Sequence, residues 1–413
     1  MEHKDGQLPY TVGPLDGIKV LDFGHTVMGP SCGLILADLG AEVVRVEPIN
    51  GDPTRTLKGF GSGFFGFFGR NKMSLSIDLK RDDAKPVIRA GLEWADVVVE
   101  NFGPGTMKRL GLDYETVAAI NERLVYCSLK GFLPGPYSSR LALDEIVQMM
   151  GGLAYMTGPS GKPLRAGSSI IDITGGMFGA IGVLAALRER DRTGKGTLVQ
   201  SALFETTSFL VGQHMAMTKL GDTAVKPMPE RDHAWGVYDL FDVADGQAFV
   251  GITSDKQWQR FCGQFGFGDL AGDERLGDNN RRVEARAWLI PALADRLRAL
   301  SVDEVSRGCE AAEVPFAPVQ TPNHLFDDPH LKANQSLLRT TTGNRTADLP
   351  ALPLRIGEHK PEIRLQPQPV GAQTRELLSD WGFDAAAGEA LFSAGVLRSD
   401  SVESTLEHAI GND

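Results

Sequence analysis

Residues 18–48 read IKVLDFGHTVMGPSCGLILADLGAEVVRVEP, and this stretch decides the fold. Residues 18–24 form a short apolar run that ends in glycine. Residues 30–39 carry apolar side chains at helical spacing and stop at Gly40. Residues 41–47 are β-branched and alternating, and end at Pro48. Strand, helix and strand within about 30 residues make a βαβ unit. The pattern returns downstream, with an amphipathic helix over 82–94, a strand over 96–102, a helix over 114–121 and a strand over 124–130. Apolar strands alternating with helices predict an α/β fold with a parallel sheet covered on both faces. Ligands of such sheets sit beyond the C-terminal ends of the strands. The loops that begin near Gly24, Glu47, Asn101 and Gly131 are therefore where a site is expected.

Farther on, the spacing predicts a helix over 144–156, a Gly- and Ala-rich helix over 175–190 able to approach another backbone closely, a turn at TGKG (193–196) and a strand over 197–203. The texture changes near Lys226. VYDLFDVADGQAFVGI (237–252) reads as a hairpin with Asp245 and Gly246 at its turn, followed by helices rich in Trp, Arg and Glu. The predicted organisation is a large Rossmann-like first domain over 1–225, a smaller α+β domain over 226–330, and a last segment over 331–413.

Composition narrows the class. The 413 residues hold 42 Lys+Arg and 53 Asp+Glu, a net charge of −11, with 42 % hydrophobic and 23 % charged residues. These values fit an ordinary globular chain and exclude disordered, collagen-like and disulfide-scaffold classes. The acidic balance argues against nucleic acid as a partner. An apolar run of ~18 residues is the signature of a membrane span, and none is read here, so no membrane partner is expected. Residues 1–10, MEHKDGQLPY, lack the apolar core of a secretory signal. Cys32, Cys127, Cys262 and Cys309 stand outside any CxxC spacing and read as reduced, buried thiols of a cytoplasmic protein. The eight histidines form no HxxH or HxxxH pair, so no metal site is expected.

Four stretches carry possible chemistry. After the first strand, GHTVMGPSCG (24–33) is neither GxGxxG nor GxxxxGK[ST], which disfavours a plain nicotinamide or ATP site; its glycines make either a tight turn or a ligand loop. ENFGPG (100–105), followed by Lys108 and Arg109, is either a structural turn with solvated cations or a loop that receives phosphate oxygens. GFGSGFFGFFGRNK (59–72) reads as an irregular Phe/Gly stretch. It is either a lid over a thin ligand or a self-packed loop, with Arg70 and Lys72 placed to meet an anion. Two carboxylates complete the set. Asp144 opens a helix, where an N-cap Asp is ordinary. Asp172, in SSIIDITGGMFGA, either caps the following helix or acts as a nucleophile at a narrow site.

Taken in order, PLDGIKVLDF (14–23), LADLGAEVVRVEP (36–48), GDPTR (51–55), NKMSLSIDLK (71–80), ADVVVENFGPG (95–105), GGMFGAIGVLAALRERDRTGKG (175–196) and VPFAPVQTPNHLFDDPHL (314–331) resemble the family III CoA-transferases along nearly the whole chain. That family includes formyl-CoA transferase, the carnitine CoA-transferases and α-methylacyl-CoA racemase. The resemblance implies that the last segment returns to the large domain and that two subunits interlock as a homodimer. It implies that coenzyme A, as acyl-CoA substrate and not as a permanent cofactor, lies along the large domain. The contacts so implied are Thr26, Val27 and Met28, Ile77 and Lys80, and Asn101, Phe102 and Gly103, with Arg109 on a CoA phosphate. Asp172 falls on the family's nucleophile and Asp144 on a second acidic position. The implied reaction moves CoA from an acyl-CoA to a carboxylic acid through a covalent aspartyl-CoA intermediate, with backbone N–H groups near Asp172 holding each oxyanion. The basic residues flanking the Phe/Gly stretch point to a small dicarboxylate such as succinate or mesaconate as acceptor.

Departures from the family pattern sharpen the expectation. Racemase relatives carry a His immediately before the residue that matches Asp144; here it is Leu143, so a two-base racemase lacks one base. Leu57 replaces an aromatic residue after GDPTR, Val27 replaces a glutamine, and no glycine-run loop is visible over 226–251, which argues against an oxalate/formate pair. The alternatives kept beside the transferase are the racemase and a non-catalytic CoA-binding protein.

Overall fold

The computed structural model describes residues 13–400; the N-terminal stretch read above as lacking a secretory signal lies outside them. The chain divides into two compact units, one reaching to Pro229 and resuming at His330, the other spanning Glu230–Pro329.

Among the described residues of the first unit, seven strands form one sheet: β1 (Lys19–Asp22), β2 (Glu42–Glu47), β3 (Lys72–Ile77), β4 (Val97–Glu100), β5 (Val125–Lys130), β6 (Leu198–Ala202) and the short β12 (Leu397–Arg398). Their order is β12-β3-β2-β1-β4-β5-β6. All neighbours pair in parallel except β12, which runs antiparallel on β3 at the sheet edge. The order 3-2-1-4-5-6 is that of a doubly wound dinucleotide-type sheet, and it reverses direction between β1 and β4. Loops leaving those two strands diverge and open a crevice there.

Two apolar layers cover the sheet. One joins β1, β4 and β5 to the Met28–Asp38 and Ile170–Thr193 helices through Val20, Cys32, Leu36, Val97, Cys127 and Val183. The other buries Leu21, Leu75, Ile88, Val98, Tyr126 and Leu397 on the opposite face. Glycine makes the helix contact close: a Cβ on Gly176 would lie 2.7 Å from the Met28 carbonyl oxygen and 2.8 Å from the Ser31 Cβ. The four cysteines are buried and unpaired.

Several elements differ from expectation. The Gly/Ala helix begins at Ile170, not Gly175, and runs to Thr193. Its residues IIDITGGMFGAIGVLAAL (170–187) interrupt an apolar run with one Asp, so on length and composition this helix passes as a candidate span after all. Here it packs on β5, β6 and the Met28–Asp38 helix. The helix expected over 144–156 breaks in two, Asp144–Met150 and Leu153–Thr157, because Gly152 takes φ +82° between them. The Phe/Gly stretch is not irregular throughout. Phe64–Phe68 is a short helix with Phe65 and Phe68 buried, and Lys72 already belongs to β3.

The second unit pairs β7 (Val237–Val243), β8 (Gly246–Ile252) and β9 (Phe316–Pro318) antiparallel. Helices over Asp255–Phe265, Arg286–Leu297 and Val302–Ala311 share a core of Trp258, Phe261, Leu289, Leu293 and Val305 with this sheet. In the first unit β10 (Leu337–Thr342) and β11 (Arg345–Pro350) form a separate hairpin.

Candidate active site

A cavity of about 450 Å³ opens where the sheet order reverses. The loop after β1 contributes His25, Thr26, Val27 and Met28; the loop after β4 contributes Asn101, Phe102, Gly103 and Pro104. Lys130, Gly131 and 138–143 follow β5, and Asp172 closes the wall. Asn101 ties the first two loops together: its Oδ1 accepts from the His25 N–H at 2.8 Å and its Nδ2 donates to the His25 carbonyl at 3.0 Å. This double bond stands beside Thr26, which is held at φ +64°, a left-handed conformation that costs a β-branched residue energy and is sustained only by its surroundings. The His25 ring lies 5.2 Å from that of Phe102, and burial holds its pKa below the ordinary histidine value.

Asp172 occupies the first turn of the 24-residue Ile170–Thr193 helix. It does not cap that helix. Asp144 does so from another element: its Oδ2 accepts from the Ile171 N–H at 2.8 Å and the Asp172 N–H at 3.1 Å, while Gln148 donates to its Oδ1 at 2.5 Å. Asp144 is not the N-cap of its own helix either; Leu143 holds that place and lines the cavity. Buried Asp144 is thus a positioning residue whose like charge faces the Asp172 carboxyl.

The Asp172 carboxylate accepts no hydrogen bond among the described residues. Burial first, and the Asp144 charge second, push its pKa up to about 7, with Arg165 pulling the other way. A helix N-terminus favours the anion by about 0.3–1 kcal/mol. The rise from the ordinary 3.8 to about 7 corresponds to roughly 4 kcal/mol against it, so desolvation wins. The backbone donors expected beside Asp172 are already engaged: the Ile170 N–H on Ser168, those of Ile171 and Asp172 on Asp144, and that of Ile173 on Ser169.

Of the expected CoA contacts, Thr26, Val27, Met28, Asn101, Phe102 and Gly103 meet in this one cavity with Asp172. Ile77 does not; it is 1 % exposed in the sheet core, paired with Leu397, and its side chain is sealed from any ligand. Lys80 and Arg109 are exposed and stand elsewhere, each next in sequence to Leu79 or Leu110, which line a second cleft of about 510 Å³ with Lys85 and Arg89. Arg70 and Lys72 meet no ligand anion. Arg70 is buried on Asp38 at 2.7 Å and Lys72 on Asp22 at 2.7 Å. The residues missed were His25, Lys130, Arg140 and Gln148, of which the first three line the cavity. Their signal was position, since the loops after the first and fifth strands were already indicated.

With fold and site in view, comparison places the chain. A model of CoA-transferase family III matches residues 15–374. The protein belongs to CoA-transferase family III, and it is an acyl-CoA:carboxylate CoA-transferase. It is 34 % identical over 403 residues to an acyl-CoA transferase of Fusarium pseudograminearum, covering 91 % of this chain and 86 % of that one. It is 31 % identical over 340 residues to a succinate–glutarate CoA-transferase of Agrobacterium fabrum, covering 79 % and 85 %. The crystal structure of a CAIB/BAIF family protein from Brucella suis superposes with a TM-score of 0.82 at 31 % identity, over 90 % of this chain and all of that one.

Proposed function

We propose that Asp172 is the nucleophile of this CoA-transferase and that its substrates are acyl-CoA esters and small dicarboxylic acids. One observation carries the first part: a half-buried carboxylate without a hydrogen-bond partner among the described residues stands in the wall of the cavity at the sheet's reversal point. One Asp172 oxygen attacks the thioester carbonyl, the C–S bond breaks, and CoA leaves as thiolate from a mixed anhydride. The thiolate attacks the aspartyl carbonyl and expels the donor carboxylate, giving an aspartyl-CoA thioester. The acceptor carboxylate repeats both steps in reverse order and restores Asp172. Splitting one exchange into four attacks keeps each barrier modest.

His25, Asn101, Phe102, Lys130 and Arg140, all in the wall of the cavity, frame the thioester arm, with Lys130 Nζ donating to the Phe102 carbonyl at 2.8 Å. Lys80 and Arg109, beside the second cleft, suit the CoA phosphates. The dicarboxylate class is supported by the succinate–glutarate relative. Leu143 stands where racemase relatives carry a His beside the Asp144 position, which favours the transferase over the racemase. We further propose an interlocked homodimer, supported by exposed apolar side chains on the first unit, among them Met177, Ile181, Phe209 and Leu220.

Intact-protein mass spectrometry after mixing with succinyl-CoA and other acyl-CoA esters, without acceptor, tests the nucleophile. The expected result is a CoA or acyl adduct on the peptide holding Asp172, absent from Asp172→Ala. Adduct on another peptide, or none with any ester despite CoA binding, overturns the assignment.

A further inference from the structure

Two arginines touch the Phe/Gly stretch, Arg70 within it and Arg165 against Phe60, and their surroundings differ. Arg70 is locked inside the sheet layer on Asp38. Arg165 lies just before the helix that carries Asp172, and the two belong to one hydrogen-bonded unit. The Ala166 N–H donates to Gln148 Oε1 at 2.9 Å, Gln148 donates to Asp144, and Asp144 holds the Ile171 and Asp172 N–H groups. The Arg165 Nε donates to the Ala166 carbonyl at 2.8 Å, and its Cζ sits 5.0 Å from the ring centroid of Phe60. Its guanidinium is paired with Glu145, a side chain 63 % exposed.

Three features make this a receptor for an anion. Nε is held by the Ala166 carbonyl, Nη2 makes only a long 3.5 Å contact to the Ser168 carbonyl, and Nη1 pairs with Glu145, so exchange of Glu145 opens the Nη1–Nη2 edge, a planar fork suited to a carboxylate. Its present partner is a surface carboxylate, and such a pair is weak enough to be exchanged for a better-placed one. One face of the guanidinium lies against Phe60, a cation–π contact that consumes no N–H donor. The same Phe/Gly stretch reaches the nucleophile, since Phe64, Phe67 and Phe68 cluster with Val27 and with Ile173, the residue after Asp172. Arg165 and Phe60 are not among the residues lining the cavity assigned to the thioester, so the cation and the thioester arm meet Asp172 from different surroundings.

We propose that Arg165 selects dicarboxylate substrates: it leaves Glu145 to bind the carboxylate that does not react, under Phe60, while the other carboxylate meets Asp172. This rests on the transferase reading above and names the residue that sets its acceptor class. The field of Arg165 already reaches the Asp172 carboxyl, where it opposes the rise in pKa.

The test compares succinate with monomethyl succinate, which keeps the length and masks one carboxylate, using one acyl-CoA donor that gives the Asp172 adduct. Wild-type enzyme is expected to prefer succinate. In Arg165→Gln the ratio of kcat/KM, succinate over ester, falls by at least about 30-fold, the loss sitting in KM, because a charge-assisted fork has gone. Arg165→Lys restores part of the ratio. Glu145→Gln, which removes the competing carboxylate, lowers the KM for succinate. A wild-type enzyme that uses the ester as well as succinate, or only monocarboxylates, overturns the proposal. So does an Arg165→Gln ratio that stays level while both rates fall, which is the mark of a structural role. The adduct assay separates this from failure of the underlying reading: an unmodified Asp172 in wild-type enzyme condemns the nucleophile, whereas a modified Asp172 with an unaltered ratio condemns Arg165 alone.

Discussion

Asp22 and Asp172 are both carboxylates at helix or strand ends near the sheet's reversal point, and their surroundings are opposite. Asp22 is 0 % exposed, yet its Oδ1 accepts from the Gly24 N–H at 2.8 Å and its Oδ2 from Lys72 Nζ at 2.7 Å. Lys72 in turn donates to the Pro30 carbonyl at 3.0 Å, so the pair pins the loop after β1 to β3. A Cβ on Gly33 would fall 2.2 Å from Asp22 Oδ2, so the helix backbone also closes on the pair. Asp172 has no such partner. A buried charge that is matched contributes to architecture; one left unmatched keeps its free energy for chemistry. The contrast is that between a brace and a reagent.

The largest effect expected from breaking the contrast is on turnover. Asp172→Asn removes the attacking oxygen anion and lowers kcat by at least about 10⁴-fold in a steady-state transfer assay, the scale on which loss of a nucleophile acts. The same substitution raises stability, and the sign follows from linkage. The folded pKa of about 7 lies above the unfolded value, so the folded protein loses stability as pH rises from about 4 to about 7, and an amide escapes that loss. Urea melts at pH 5 and pH 8 check this: the advantage of Asp172→Asn over wild type is larger at pH 8. A less stable variant at both values contradicts the reading of Asp172 as unmatched.

Next in size is the brace. Lys72→Met leaves Asp22 buried and alone, and is expected to cost about 3–5 kcal/mol of unfolding free energy. Adding Asp22→Leu to Lys72→Met is expected to recover most of that loss. Failure to recover would locate the damage in packing rather than in the orphaned charge.

Smaller effects sharpen the cause of the Asp172 shift. Adduct formation measured against pH is expected to rise through a midpoint near 7, because only the ionised carboxylate attacks. Asp144→Asn keeps an oxygen to receive the Ile171 and Asp172 N–H groups but deletes the like charge. Its midpoint should therefore move down. Since burial is the larger cause, the midpoint should remain above the usual carboxylate range. A midpoint that does not move assigns the whole shift to burial.

Strands β1, β2, β4, β5 and β6 and the helices between them were legible from local apolar spacing, and with them the loops after β1, β4 and β5 that frame the cavity; β3 and β12 were not read as strands. The family pattern singled out Asp172. What escaped were facts about partners. Asp144 looks like the cap of its own helix, because spacing along the chain shows only neighbours; in the structure it caps a helix beginning 26 residues later. Ile77 was implied as a contact by the family resemblance, yet the pairing of Leu397 beside it seals its side chain.

Hydrophobic periodicity is a property of consecutive residues, and so the sequence by itself determined the wound sheet and the place of its crevice. Charge pairing depends on which distant segments meet. Arg70 and Asp38 are 32 positions apart, Lys72 and Asp22 are 50 apart, and the Asp172 N–H and Asp144 are 28 apart. Only the tertiary structure decided which charges became braces and which carboxylate stayed unpaired, because desolvation and pairing are settled when the layers close over them.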